Sequence, residues 1–407
     1  MSAAPGPWWS DHVEVVGYSD LAGRPGFKLA MQEVGGRFYL YLGHLWHRGW
    51  SIVDVTDPRS PRLVRFVEGP ANTWTIQVQV ADGRMITALE RIAPGWGGDP
   101  DGPFEAGVLI LDVSDPEAPA RLGYWRTAGT GTHRNYYDGG RYVHLAAGLP
   151  GYSGNVYQII DIADPARPLE VARWWAPGQW QEGGEDGAPP ATSLHGGPYV
   201  ERDRAYLPYG GAGLVVLDLA EITKPRLISR LPFSPPFQAH IAVHTAVPLQ
   251  RRKLVAVNSE AIAEDCREPL GFAGLVDVSD EREPRLVSLF PLPAPPAGAP
   301  VRNFCERGGR FGPHNQHQPQ HQAALLDRDD LIFLTYFNAG LRVVDVADPR
   351  RPCEVGYFVP PDPTVRRGVL PRKLVAQSED VLVDARGYIY LTDKNHGLYV
   401  LRYEGLD

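Results

Sequence analysis

Cysteine is scarce in this chain, three in 407 residues, at positions 266, 305 and 353. They are too few and too scattered for a disulfide framework, and none stands in a CxxC pair of the kind that holds zinc, so free thiols in a reducing compartment are the expectation. Long apolar runs are missing as well: no stretch of roughly 18 apolar residues occurs that could cross a membrane as a helix. The N-terminal MSAAPGPWWSDH lacks a basic segment followed by an apolar one, so no signal peptide is expected and the chain reads as cytoplasmic, with no membrane partner. Nor is there a basic run to meet a phosphate backbone. Forty Lys and Arg against 48 Asp and Glu leave a formal charge of −8, which argues against nucleic acid as a partner.

Glycine and proline, by contrast, are plentiful. Gly 44 and Pro 39 together make a fifth of the chain, which excludes a helical bundle. With 43% hydrophobic and 22% charged residues the chain can still bury a large core.

The sequence repeats itself. An apolar strand ending in Asp, a turn, then Pro and a second strand recur as SIVDVTDPRSPRLVRF (51–66), VLILDVSDPEAPARLGYW (108–125), YQIIDIADPARPLEVARW (157–174), LVVLDLAEITKPRLISRL (214–231), GLVDVSDEREPRLVSLF (274–290) and LRVVDVADPRRPCEVGYF (341–358). Upstream of each lie two short strands joined by a tight polar turn, as at Gly35-Gly36, Asp82-Gly83 and Gly139-Gly140. Four strands per unit, at intervals of roughly 50 to 70 residues, is the plan of a propeller blade. A seventh unit, 378–403, has three strands and no fourth, while Glu14–Tyr18 (EVVGY) reads like a fourth strand with nothing before it. The expected fold is therefore all-β: a seven-bladed β-propeller, one domain over 1–407, closed by the N-terminal strand completing the last blade, which removes the exposed edges. The Asp of each repeat (Asp54, Asp112, Asp161, Asp218, Asp277, Asp345) recurs too often to be catalytic equipment and is assigned to the turns.

Irregular sequence collects over one end of the axis. The links from second to third strand and from one blade to the next swell at 91–105, 176–192, 260–272, 291–313 and 359–377, and long loops of this kind are usually functional. Histidine follows the same bias. Aligning the strands places His133, His195, His244 and His321 at nearly one repeat column, the start of the innermost strand in blades three to six, so four imidazoles point toward one axis. A one-residue slip turns a side chain to the opposite face, and it would exchange His240 for His244 and His314 or His317 for His321. A single axial histidine is commonly a structural residue. Four in register suggest a bound metal, since neutral imidazole is the commonest metal ligand and a metal-free cluster would crowd basic groups together. Such a site, without cysteine, suits iron or copper, with zinc, nickel or manganese as alternatives. Glu379 and Asp380, in the axial column of blade seven, would orient a ligand histidine or serve as a general base; equally, Glu379 would pair with Lys28 across the channel. Tyr209, Tyr336, Trp46 and Trp96 fall near the loop-rich face. No GxSxG, P-loop, HExxH or GxGxxG signature is present.

The segments SIVDV, LILDV, QIIDI, VVLDL and RVVDV resemble the LVIVD-repeat family of bacterial β-propellers over nearly the whole chain. The histidine register is also similar to that of other seven-bladed propellers, carotenoid-cleavage oxygenases with iron on four axial histidines and selenium-binding proteins with methanethiol oxidase activity and copper. The resemblance implies the fold and, by architectural analogy, a metal at the matching His133, His195, His244 and His321. The function expected is a metal-dependent oxidoreductase acting on a small organic molecule under loops 176–192 and 291–313, with Glu379, His240, His314 or His317 moving protons. A redox-neutral metal-dependent lyase, isomerase or hydrolase fits the same ligands. A scaffold propeller that docks another protein on its loop-rich face is the reading from a different class.

Overall fold

A computed structural model describes residues 4–189, 191–233, 237, 239–269 and 271–406. Residues 1–3 of the N-terminal stretch, and positions 190 and 270 in two of the long loops read from the sequence, lie outside them. Strands dominate: five four-stranded sheets and one nine-stranded sheet, all antiparallel between neighbours. The nine-stranded sheet spans two repeat units, joined by a single residue pair, Gly131 with Glu90. Helix is confined to Phe304–Arg307 and a few 3-10 turns, and no helix is long and apolar enough to cross a membrane among the described residues.

Each unit runs from an inner strand outward. In the first, Gly26–Val34 pairs with Arg37–His44, then Gly49–Asp54, then Arg62–Glu68. The turn after every third strand is built alike. The repeat aspartates accept a backbone N–H two residues on, Asp54 from Thr56 at 3.0 Å, Asp112 from Ser114 at 2.8 Å, Asp161 from Ala163 at 2.9 Å. Asp218, Asp277 and Asp345 do the same. The recurrence of Asp is thus explained by the backbone, as such Asx turns require. In every unit the third and fourth strands slip register once, for example at Ile110/Leu111 and Val343/Val344, a bulge that bends the outer strand around the sheet. Gly17 and Gly123 sit on these fourth strands because a Cβ would collide with the Pro58 and Pro165 carbonyls of the next unit's turn.

The core is divided among the seams between units. One cluster lies in each, such as Tyr41, Ile52, Met85 and Leu111 between the first and second and Leu207, Val215 and Ala146 between the third and fourth. The seventh unit packs on the first through Leu382, Tyr390 and Val400 against Leu40, Leu42 and Val53, so the seven units make a closed ring. Val13–Ser19 pairs with Leu398–Tyr403 and supplies the missing fourth strand. One addition was not read from the sequence: Trp9–Asp11 adds to the sixth unit, Trp9 opposite Val359.

The sixth unit departs from the plan at the axis. Its inner segment is a short irregular stretch, 314–317: the His314 and His317 N–H groups donate to the Thr335 and Phe333 carbonyls, each at 2.9 Å. This stretch, and not 321 onward, occupies the axial column. Cys266 and Cys305 form a disulfide, which corrects the expectation of free thiols; Cys353 alone is free. Disulfides persist in oxidising environments, so the cysteines no longer support a cytoplasmic location.

Candidate metal centre

The axial ends of the inner strands are where the ladders break. Register shifts fall at Gly26/Leu29, Thr132/Arg134, Ile241/Thr245 and Ser378/Val381. Bulges re-aim side chains and are common beside functional sites. Here they turn Phe27, Lys28, His133, Arg134, His244, Glu379 and Asp380 toward the channel region. Gly196, directly after His195, is demanded by close approach: a Cβ there would collide with the His244 carbonyl oxygen. That contact brings the fourth and fifth units' histidines together.

Four imidazoles form a chain across the axis. Ring centroids are 4.4 Å apart for His133 and His195, 5.5 Å for His195 and His244, and 4.8 Å for His244 and His314. Glu260, the last residue of strand Leu254–Glu260, reaches into them. Its Oε2 lies 3.3 Å from Nε2 of both His195 and His244, and its Oε1 lies 3.6 Å from His314 Nε2. The donor atoms of His195, His244 and Glu260 all fall within 4.8 Å of one another, close enough to share a metal ion.

Each ring but His195 is held from behind through Nδ1. His133 Nδ1 meets Glu90 Oε2 at 2.6 Å; His244 Nδ1 lies 2.8 Å from Thr245 Oγ1 and 3.2 Å from the His314 carbonyl; His314 Nδ1 lies 2.8 Å from the Glu379 carbonyl. Such outer contacts fix the tautomer and leave Nε2 available to a metal. Apart from the 3.3 Å contacts of Glu260 Oε2 within the cluster, the buried Nε2 atoms of His133 and His244 and Oε2 of Glu260 have no hydrogen-bond partner among the described residues.

Burial sets the charge states. It pushes His244 and His314 well below the usual imidazole range, and lowers His195, with the neighbouring His133 adding to the effect. All three are therefore neutral, the form that binds metal. Burial alone would raise Glu260, but the surrounding charge, with the Arg310 guanidinium in direct contact, holds it well below the carboxylate range. Arg310 makes a short ion pair with Glu260 and donates to the Ala261 carbonyl.

Above the cluster opens a cavity of about 320 Å³, walled by Phe27, Leu45, Trp74, Ile76 and Trp96 and floored by the histidines. Trp46 stacks behind Trp96 at 5.9 Å and Trp74 meets it edge-on at 5.8 Å. Loops 91–105, 176–192, 260–272 and 291–313 contribute Trp96, Ala191, Ile262 and Arg310 to the lining, and the disulfide ties the last two loops together.

The remaining residues singled out in the sequence fall elsewhere. His321 does not join the cluster. It is a third exposed and lies 3.2 Å from Glu201 and 3.8 Å from Asp138, beside the short first-to-second-strand turns at the opposite end of the ring. From His314 to His321 the chain advances seven residues, at ~3.3 Å each up to about 23 Å, the depth of a propeller channel. His317 is half-buried with both nitrogens engaged, Nε2 at 2.7 Å from the Leu326 carbonyl and Nδ1 accepting from Val383 N–H at 3.1 Å. His240 lines the mouth of the cavity, its own N–H donating to Glu268 at 2.7 Å. Glu379 stands behind His314, 3.3 Å from its Nδ1, in a short ion pair with Lys394. Lys28 pairs with Asp380 at 2.8 Å, and not with Glu379. Tyr209 and Tyr336 are buried in the seams between units.

Glu90, Glu260, Arg134 and Arg310 were missed. A signal for the glutamates existed: second strands end in His44, Glu260 or Asp393, and Glu90 stands one residue before the end of Arg84–Arg91, next to the axial column.

Residues 330–359 match the LVIVD repeat family model. No curated protein matches the chain. Among solved structures, the β-propeller domain of Myceliophteria thermophila Cps50 (Swd1) is similar at 11% identity and TM-score 0.56, over 93% of this chain and 96% of that one. Saccharomyces cerevisiae Sqt1 matches at 8% identity and TM-score 0.51, over 95% and 87%. A functionally unknown protein from Desulfotomaculum acetoxidans matches at 10% and 0.51, over 82% and 86%. At these identities the likeness shows the fold alone. The chain is thus a β-propeller whose residues 330–359 carry the LVIVD repeat.

Proposed function

We propose that the protein is a metal-dependent enzyme, an oxidoreductase acting on a small organic molecule, with a transition metal held by His133, His195, His244 and His314 beside Glu260. One observation carries this reading: Nε2 of His133 and His244 and Oε2 of Glu260 are buried in one cluster without a partner outside it. Each unsatisfied buried polar atom costs about 1–3 kcal/mol, and a cation between His195, His244 and Glu260, whose donor atoms lie within 4.8 Å of one another, would satisfy His244 Nε2 and Glu260 Oε2 together. Imidazole nitrogens with one carboxylate suit iron or copper, and also zinc or nickel. When bound, such an ion supplies a redox centre or a Lewis acid.

The chain's own residues supply the rest. Trp74, Trp96 and Phe27 exclude water from the floor of the cavity, which strengthens every charge interaction there. Glu260, kept ionised by Arg310, is the base nearest the cavity floor. His240 at the mouth is placed to exchange protons between the cavity and solvent. His314 contributes as a ligand and Glu379 as the group that positions it.

The test is metal analysis of untagged protein. Stoichiometric metal, lost in His195→Ala and His244→Ala variants that remain folded, is the expected result, with an absorption band on adding ferrous or cupric ion. Well-folded wild-type protein that takes up no metal would overturn the proposal.

A further inference from the structure

We propose that the axial cavity binds an aromatic monocarboxylate, the carboxylate on Arg134 and the ring between Trp74, Trp96 and Phe27; this rests on the cavity being the substrate site.

Four cations lie buried around the axis, and three have a carboxylate of their own. Lys28 pairs with Asp380, Arg310 with Glu260 and Lys394 with Glu379. Arg134 has none among the described residues. It is 3% exposed, its Nε is without a partner, and its one side-chain hydrogen bond is Nη1 to the neutral Gln77 Oε1 at 3.2 Å. A buried guanidinium short of an anion is costly. Yet the bulge at Thr132/Arg134 turns this residue, as well as His133, into the cavity lining. The anion that Arg134 lacks within the chain is one the cavity can admit, and a guanidinium receives a planar carboxylate through two parallel hydrogen bonds.

The charge of the whole site points the same way. Lys28, Arg134, Arg310 and Lys394 are balanced by Glu90, Glu260, Glu379 and Asp380, so a divalent cation on the histidines leaves a positive surplus that an anionic ligand offsets. The walls decide the remainder of the molecule. Trp74, Trp96 and Phe27 present indole and phenyl faces, and the Arg134 guanidinium sits 5.2 Å from the centre of the Phe27 ring. A planar ring beside an Arg-bound carboxylate therefore meets aromatic surface at stacking or edge distance. About 320 Å³ is the share of roughly ten waters, which fits an acid of about that many non-hydrogen atoms.

The probe is trans-cinnamate, titrated by tryptophan fluorescence against cinnamamide, which has the same shape without the charge, and against acetate, which has the charge without the ring. Both the metal-loaded and the chelator-stripped protein are used. Cinnamate should bind at least tenfold more tightly than either analogue, Arg134→Gln should abolish its advantage over cinnamamide, and Trp96→Leu should weaken cinnamate and cinnamamide alike. Equal affinity for cinnamate and cinnamamide, a preference that survives Arg134→Gln, acetate binding as tightly as cinnamate, or no binding of any probe overturns the proposal. Should Arg134→Gln fail to fold, the wild-type ratios alone decide. Protein that discriminates the acids yet holds no metal keeps this ligand class and loses the metal reading; protein that holds metal and does not discriminate loses the ligand class.

Discussion

Histidine at the loop-rich end of the axis and histidine elsewhere in the ring are the same side chain under opposite bookkeeping. His44 donates from Nδ1 to the Pro25 carbonyl at 2.9 Å and accepts at Nε2 from the Ser51 hydroxyl at 2.8 Å, and His317 is likewise bonded through both nitrogens. Those rings are complete without any ligand. His133 and His244 are also buried, but in each one nitrogen is held and the other faces the cluster without a partner outside it. Burial and proximity to the axis therefore do not distinguish a ligand from a structural histidine. What distinguishes them is which nitrogen the protein leaves unsatisfied.

The largest test of that contrast is substitution on each side of it. His195→Ala or His244→Ala should weaken metal binding by more than the ~100-fold that loss of an outer partner costs, while His317→Gln and His321→Ala should leave metal content unchanged by elemental analysis. Metal loss in the second pair would erase the distinction.

Acid provides the next test, and it acts on the structural set. Burial lowers His44 and His317 to about 4, against ~6.5 in the unfolded chain. Between those values the unfolded state takes up protons that the folded state refuses, so stability is full above pH ~6.5 and falls as pH drops toward 4, by about 2–3 kcal/mol for each group at pH ~4.5. Denaturant titrations from pH 7 to 4.5 should show this decline, and His44→Asn should remove that residue's share of it, leaving the share of the other buried histidines.

Smaller again is the effect of the groups behind the ligands. Glu90→Gln and Glu379→Gln should each weaken metal binding by about 10- to 100-fold without losing the site, read by competition with a chelator. Smallest is Asp54→Ala in a repeat turn, where one Asx hydrogen bond to Thr56 and a pair with Arg37 are lost. About 1 kcal/mol of stability, and no change in metal content, is expected from calorimetry.

The fold was legible because the repeat states it many times over. Asp54 and its equivalents mark the third strand of the first six units, and a headless EVVGY at 14–18 with a tailless 378–403 announces closure. His133, His195 and His244 were legible for the same reason, since in units three to five the axial position precedes a recognisable pair of strands. His314 was not, because the sixth unit lacks a regular inner strand and GPHNQHQPQH offers three histidines on a segment broken by Pro313 and Pro319. Alignment on the following strands then chose His321, at the wrong end of the channel. Arg134 escaped because its role depends on a bulge, which leaves no composition or period in a sequence, and Glu260 because it ends a second strand, outside the inner-strand column that was aligned. The Cys266–Cys305 pair escaped because its two cysteines lie in separate loops 39 residues apart, with no spacing motif to join them.

Closure also fixes an order of events during synthesis. Residues 9–19 leave the ribosome well before their partners, strands Cys353–Val359 and Leu398–Tyr403, are made. With translation at roughly 5–20 residues per second, the leading segment waits on the order of tens of seconds while two sheet edges remain open. Shielding that interval is a task for chaperones, and a nascent chain stalled before residue 398 should be the species they hold.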